Sequence, residues 1–288
     1  MAGFLRCAVM VNMQIDTGTD QLLTEIRDGV AVITLNRPEA RNALSDTLTP
    51  ALRQQIADRG ADRNVGALLI TGAGTAFCAG GDVKSMAARP EPPAAPSRDE
   101  MTIAEKITQL QHRQRTLTGA LVGVRKPTIA ALPGPAAGAG LAIALACDIR
   151  FAAHSAFIST GYARVGLSGD YGIAWLLTRL VGTAKARELM FTAERVDAET
   201  CQQIGLVNRL VGDADLQSVA FGFARSLADG PTAALRQMKE NLDTALTAPF
   251  LSALDAEAER LVHTAQSADH KEAVRAFVEK RKPNFTGQ

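Results

Sequence analysis

The chain has 288 residues, enough to bury a substantial core, and its 31 Lys and Arg against 30 Asp and Glu leave a net charge of +1, so no global field draws nucleic acid or an anionic membrane. Cys7, Cys78, Cys147 and Cys201 lie far apart with no Cys-x-x-Cys spacing, which predicts reduced, buried thiols in a cytoplasmic protein and no metal site. No apolar run approaches the roughly 20 residues that a membrane-spanning helix needs.

In chain order, residues 1–21 read as a flexible N-terminal extension. The apolar stretch 4–11 is short, is broken by Arg6 and Cys7 and has no cleavage site, so it does not read as a secretory signal; Met1 and Met13 are both candidate starts. Two strands, 22–27 and 30–35, are predicted around Asp28-Gly29, a hairpin turn signal. After Asn36 to Leu44 a helix is expected over 45–61, capped by Ser45, and then a buried strand over 65–71. Residues 72–82 form a glycine-rich turn.

Pro90, Pro92, Pro93 and Pro96 rule out regular helix over 89–97 and predict a loop or rim. A helix over 99–122 follows, with Ile103, Ile107, Leu110, Leu117 and Leu121 at helical spacing; a solvated or rim position is favoured for His112 and Arg113 over lining a pocket, since nothing nearby supplies a partner. The stretch 128–148 is an apolar strand, a corner containing Gly134, Gly138 and Gly140, and an apolar helix starting near Ala139. Such a helix start aims unpaired N–H groups back into the corner, where they can hold negative charge on a ligand oxygen; a tight corner packed on a neighbour fits the stretch equally well. A second glycine-rich turn about 60 residues earlier favours a paired site.

Short strands are expected at 148–153 and 156–160, an irregular connection over 162–172, and helices over 173–181, 184–192, 198–204, 213–229, 231–246, 250–267 and 270–281. Strands interleaved with helices, followed by a helical tail, make an α/β protein. The organisation expected is an extension over 1–21, a core over 22–212 and a helical C-terminal region over 213–288.

Five segments together carry a family resemblance: 36–44 (NRPEARNAL), 76–84 (AFCAGGDVK), 138–148 (GAG through Cys147-Asp148), 177–182 (LTRLVG) and 277–283 (FVEKRKP). In that order, over nearly the whole length from residue 22, they resemble the crotonase superfamily, the enoyl-CoA hydratase and isomerase group. The resemblance implies a crotonase-type spiral of ββα turns with a helical C-terminal trimerisation region. It implies homotrimers or dimers of trimers and an acyl-CoA thioester substrate, coenzyme A entering as part of that substrate with no separate cofactor.

Residue by residue, the resemblance puts the two oxyanion donors on the N–H groups of Gly81 and Ala139. It puts coenzyme A contacts at Ala40, Arg41, Gly81, Asp82, Val83, Lys84 and Ala139. Lys84, Arg37 and Arg41 could meet the phosphates, although a solvated role suits each of them equally, and Phe277 and Lys280 could reach a neighbouring subunit. Two fixed N–H dipoles can stabilise the enolate oxygen formed when a proton leaves the carbon beside a thioester; losing one typically costs about 3 kcal/mol.

The sequence departs from the family where its hydratases carry two glutamates, because those positions are Ala142 and Tyr162 here. Ala142 cannot orient or deprotonate water, and a phenol with an ordinary pKa of about 10 is a poor base near neutrality. Asp170, eight residues after Tyr162, resembles the aspartate of several family isomerases; it is also placed to cap the helix that follows. The leading expectation is therefore isomerisation of an enoyl-CoA with Asp170 as proton shuttle. The alternatives are a specialised hydratase, a non-catalytic acyl-CoA binder, or an RNA-binding relative, the last disfavoured by the balanced charge.

Overall fold

Asp28 and Gly29, with φ of 49° and 76°, turn strand β2, Leu22–Arg27, back on β3, Val30–Leu35, in register from Leu22 opposite Leu35 to Arg27 opposite Val30. Positive φ at both turn residues gives the twist a two-residue hairpin requires. The structure, a computed structural model, describes residues 12–82 and 101–288. The proline-rich segment 89–97, Val83, Lys84 and Cys7 lie outside the described residues.

With β1 at Met13–Ile15 and β9 at Val196–Asp197, the main sheet has the order β1-β2-β3-β4-β5-β7-β10, and a smaller one has the order β6-β8-β9. From β3 onward the main sheet is parallel, through β4 (Ala67–Gly72), β5 (Thr128–Leu132), β7 (Ile149–Ala153) and β10 (Arg209–Val211). Each turn of chain adds one strand to the main sheet, a short extended segment to a second layer, and then a helix. The first turn is β3, Leu44 and α1 (Leu48–Ala61). The second is β4, Cys78 to Gly81 and α2 (Ile103–Gln114). The third is β5, β6 (Ala136–Ala137) and α4 (Gly138–Ala146), and the fourth is β7, β8 (Phe157–Ser159) and α5 (Ile173–Thr192), which the short α6 (Ala198–Gln203) follows. Leu44 bridges Gly81 and Cys78 bridges Ala136, so the short segments themselves climb in step. This is the expected spiral of ββα turns.

Both faces of the central strands β3, β4, β5 and β7 are buried, which is why they read as continuous apolar runs. In β3, Ala31, Ile33 and Leu35 join the larger cluster with α1 and α4, while Val30 and Val32 face Leu216, Ala220, Ala224 and Ala228 of α7, Leu216–Ala228. Helix α7 therefore belongs to the core, and the boundary expected at 213 does not part core from appendage. Beyond it, α8 (Thr232–Ala245), α9 (Phe250–Ala265) and α10 (Ala268–Val278) bury little: α8 and α9 have no fully buried residue, and Leu242, Phe250, Leu251, Leu261 and Phe277 are exposed.

Several local expectations change. The last described part of the 1–21 extension is ordered, since β1, Met13–Ile15, pairs antiparallel with β2. The region after Ile173 is not wholly helical: β9, Val196–Asp197, pairs with β8, and β10 closes the main sheet beside β7. Segments of two or three residues are too short to show a periodicity. The helices expected at 173–181 and 184–192 form one element, α5, broken at Gly182 (φ 75°, ψ 167°). Ser45 does cap α1, but from outside the first turn, its Oγ accepting the Leu48 N–H at 2.9 Å.

The helix expected over 99–122 begins at a Thr102–Glu105 capping box and is interrupted by a π turn, Arg115–Gly119, before α3, Ala120–Gly123. Leu117 and Leu121 are buried as expected, whereas Ile103, Ile107 and Leu110 are exposed. Among the described residues no helix is long and apolar enough to cross a membrane.

Candidate active site

The two glycine-rich corners are built against each other. Phe77 and Cys78 N–H groups donate to Pro135 O at 3.0 and 3.1 Å, and Ala137 N–H donates to Cys78 O at 2.9 Å. Gly80, with φ 87°, comes so near the second corner that a Cβ there would lie 2.7 Å from Ala137 O and 3.4 Å from Ala139 N. Only glycine permits both the backbone angle and the approach. The residue before Gly81 is thus packed against the start of α4, and Ala139 stands in the first turn of that helix, where N–H groups have no intrahelical acceptor.

The first corner is held from beneath by Asn42, which sequence reasoning did not single out. Its side chain is fully buried; Oδ1 accepts the Arg37 N–H at 2.8 Å, and Nδ2 donates to Ala73 O at 2.9 Å and Ala76 O at 2.8 Å. Arg41 and Asn42 take left-handed φ of 51° and 56°, a conformation Asn tolerates better than most residues. Ala40 and Arg41 form the end of the 3₁₀ turn Pro38–Ala40, with Arg41 exposed, and Arg41 O accepts the Ala79 N–H at 2.9 Å, so this rim is tied to the corner. Arg37 is engaged rather than free: its guanidinium donates to Ala43 O at 2.7 Å and pairs with Asp82 at 3.2 Å.

The second corner leads to the acid. Gly138 lies beside the ring of Tyr162, whose Cζ would be 3.9 Å from a Cβ at 138, and the Tyr162 hydroxyl donates to Asp170 Oδ1 at 2.5 Å. Burial raises the Asp170 carboxyl above its ordinary value, an effect that the Tyr162 hydrogen bond opposes. Burial likewise raises Tyr162 above the ordinary phenol range, with the Asp170 charge adding to it, so the hydroxyl remains a donor near neutrality. Asp170 does not act as the side-chain cap of α5. That helix starts after Gly172 in a left-handed conformation, and its Ile173 N–H reaches the Asp170 main-chain carbonyl at 3.1 Å, leaving the carboxylate to Tyr162.

Gln114, also missed, closes the other side, its Oε1 accepting the Tyr171 N–H at 2.7 Å. It shares a helix face with Ile103, Ile107 and Leu110, and that spacing was the signal available. His112 is exposed and Arg113 only partly covered. Ala142 is fully enclosed in α4 among Leu141, Ile143 and Ala144. Burial pushes Cys78, Cys147 and Cys201 each up to about 12, which keeps these thiols protonated and unreactive. Phe277 is 85% exposed, and Lys280, also exposed, stands outside the end of α10 with φ 51°. Among the described residues no His, Cys, Asp and Glu cluster could hold a metal ion.

Comparison with known proteins gives the family and the fold. The family described as enoyl-CoA hydratase/isomerase matches residues 25–288. A Rhodobacter capsulatus protein named "Probable enoyl-CoA hydratase" is 38% identical over 268 residues, covering 92% of this chain and 97% of its own. The 1,2-epoxyphenylacetyl-CoA isomerase of Escherichia coli is 35% identical over 267 residues, covering 93% and 98%. The crystal structure of an enoyl-CoA hydratase from a Polaromonas species superposes with a TM-score of 0.82 at 31% identity, over 92% of this chain and 99% of that one.

Proposed function

The chain belongs to the enoyl-CoA hydratase/isomerase family, and from that premise we propose that it moves a double bond within an enoyl-CoA thioester. The thioester oxygen sits between the N–H groups of Gly81 and Ala139, which stabilise the enolate as it forms. Asp170 takes a proton from the α carbon and returns it to the γ carbon. Ala40, Arg41, Asp82, Val83 and Lys84 contact coenzyme A. A trimer, or a pair of trimers, is supported by the apolar side chains that α8, α9 and α10 leave exposed, among them Leu242, Phe250 and Phe277.

The observation that carries the reading is the Asp170 carboxylate, held 2.5 Å from the Tyr162 hydroxyl beside Gly138. It is an acid raised by burial, next to the paired corners, in a site whose two hydratase acid positions are Ala142 and Tyr162. Hydration is the second reading, favoured by the names that several relatives carry.

Purified protein incubated separately with 3-enoyl-CoA and 2-enoyl-CoA thioesters distinguishes them. The expected result is conversion of the 3-enoyl to the conjugated 2-enoyl ester, falling by about 10²–10⁴-fold in Asp170→Asn. Brisk hydration of the 2-enoyl ester that survives Asp170→Asn would overturn the isomerase reading.

A further inference from the structure

We infer that Tyr162 is a positioning residue, which occupies one carboxylate oxygen of Asp170 so that the other alone carries the proton from the α to the γ carbon and hands the same proton back. The inference rests on the isomerase reading above and goes beyond it by assigning a role to the tyrosine and a fate to the proton.

Asp170 is tied on three sides. Its Oδ1 accepts the Tyr162 hydroxyl at 2.5 Å, its main-chain carbonyl accepts the Ile173 N–H at 3.1 Å, and the next peptide N–H, that of Tyr171, is held by Gln114 at 2.7 Å. The tyrosine is itself fixed. It opens the 3₁₀ turn Tyr162–Val165 between left-handed Gly161 and Gly166, its ring is buried, and its hydroxyl is the end that meets the acid. The two main-chain ties fix where the residue stands, and the Tyr162 bond is the one that reaches the carboxylate; freed of it, the carboxylate would rotate, and both oxygens would sample the substrate and water.

The consequence is chemical. With Oδ1 engaged, Oδ2 is the oxygen that receives the proton: the α C–H bond breaks, an O–H bond forms on Oδ2, and the electron pair moves into the enolate. In the second half the O–H bond breaks, a C–H bond forms at the γ carbon and the carboxylate is restored, so atoms and electrons balance without a co-reactant. Tyr162 moves no proton. By fixing the donor oxygen close to both carbons and turned from water, it makes return faster than exchange.

The test uses 3-enoyl-CoA esters of several chain lengths, dideuterated at the α carbon, in ordinary water, with the wild-type chain and Tyr162→Phe, which keeps the ring and its packing. Wild type should place a measurable share of the deuterium at the γ carbon of the product. Tyr162→Phe should lower kcat on the order of ten- to a hundredfold with KM nearly unchanged, and the γ carbon should lose its label to solvent. A thermal midpoint within a few degrees of wild type shows that the variant is folded; if it is not, Gln114→Leu, which frees the Tyr171 peptide N–H and so loosens the backbone that carries the acid, serves as the second variant and should lower label retention in the same way. Unchanged kcat and label retention in a folded variant would overturn the role of Tyr162 and leave the isomerase reading standing. Absence of isomerisation by the wild-type chain with every ester would overturn both.

Discussion

Gly140 and Cys78 meet directly across the two corners: a Cβ at position 140 would lie 2.4 Å from the Cys78 carbonyl oxygen and 2.7 Å from its Sγ. The first turn of α4 is thereby pressed onto the strand segment that carries Gly80 and Gly81. Gly140→Ala forces backbone apart on both sides, since the carbonyl cannot swing aside while it accepts the Ala137 N–H at 2.9 Å. Overpacking of this kind costs about 1–3 kcal/mol or more. The expected outcome is a lower denaturation midpoint together with a loss of turnover larger than the loss of folded protein, because the proposed pair of donors, the Gly81 and Ala139 N–H groups, would be moved apart.

Asn42 joins three main-chain groups from two segments, the Arg37 N–H and the carbonyls of Ala73 and Ala76. Asn42→Ala leaves all three unpaired in a buried place, at about 1–3 kcal/mol for each group that water cannot reach. Asn42→Asp keeps the acceptor for Arg37 but sets a carboxylate oxygen against two carbonyls, so it should destabilise about as much. Urea unfolding of both variants checks this, and equilibrium binding of a coenzyme A ester should weaken with them, since the Ala40 to Arg41 rim is tied to the same corner.

Much of this architecture was legible in the sequence where a local signal matched a large structural effect. The Asp28-Gly29 turn and its flanking apolar runs placed β2 and β3 residue for residue, and the run 128–132 placed β5. The two glycine-rich corners were readable because bare backbone between a strand and a helix is unusual, and the family resemblance singled out Gly81 and Ala139 within them. The contacts that complete the site depend on approaches between distant segments: Gln114 meets Tyr171 across 57 residues and Asn42 meets Ala76 across 34. No periodicity encodes these. The same limit hid β9 and β10, and it hid the exposure of Ile103 and Ile107, whose helical spacing is that of a core face. Tyr162 was noted as the residue where a glutamate was missing; its hydroxyl bond to Asp170 came only from the folded chain.

The activity should depend on pH through Asp170. A base works ionised, so kcat/KM falls as pH drops through its pKa, and burial has raised that pKa above the ordinary carboxylate value while the Tyr162 bond holds it back. Removing the hydroxyl in Tyr162→Phe deletes the part that favours the ionised form. The acidic limb of the kcat/KM profile should therefore move to higher pH in the variant. Burial raises the neighbouring Tyr171 phenol above its ordinary range, an effect that Arg53 and Arg113 oppose, so that phenol titrates above the range where Asp170 does. A shift of the acidic limb to lower pH in Tyr162→Phe would show that the hydroxyl stabilises the protonated acid instead.

Ala142→Glu tests whether the site could hydrate if given the acid it lacks. The position is completely enclosed, with Leu141, Ile143 and Ala144 of the same helix equally buried, so the longer side chain must displace packed atoms and its carboxyl enters without a partner. Overpacking and an unpaired polar group each cost about 1–3 kcal/mol. Burial disfavours the charged form, so the new acid should stay protonated near neutrality and be unable to deprotonate water. The expected outcome is a destabilised protein that still isomerises weakly and gains no hydration of 2-enoyl-CoA, read by thermal unfolding and product analysis. A stable variant that hydrates would mean that α4 opens toward the substrate once coenzyme A is bound, and that the missing glutamate alone had set the reaction.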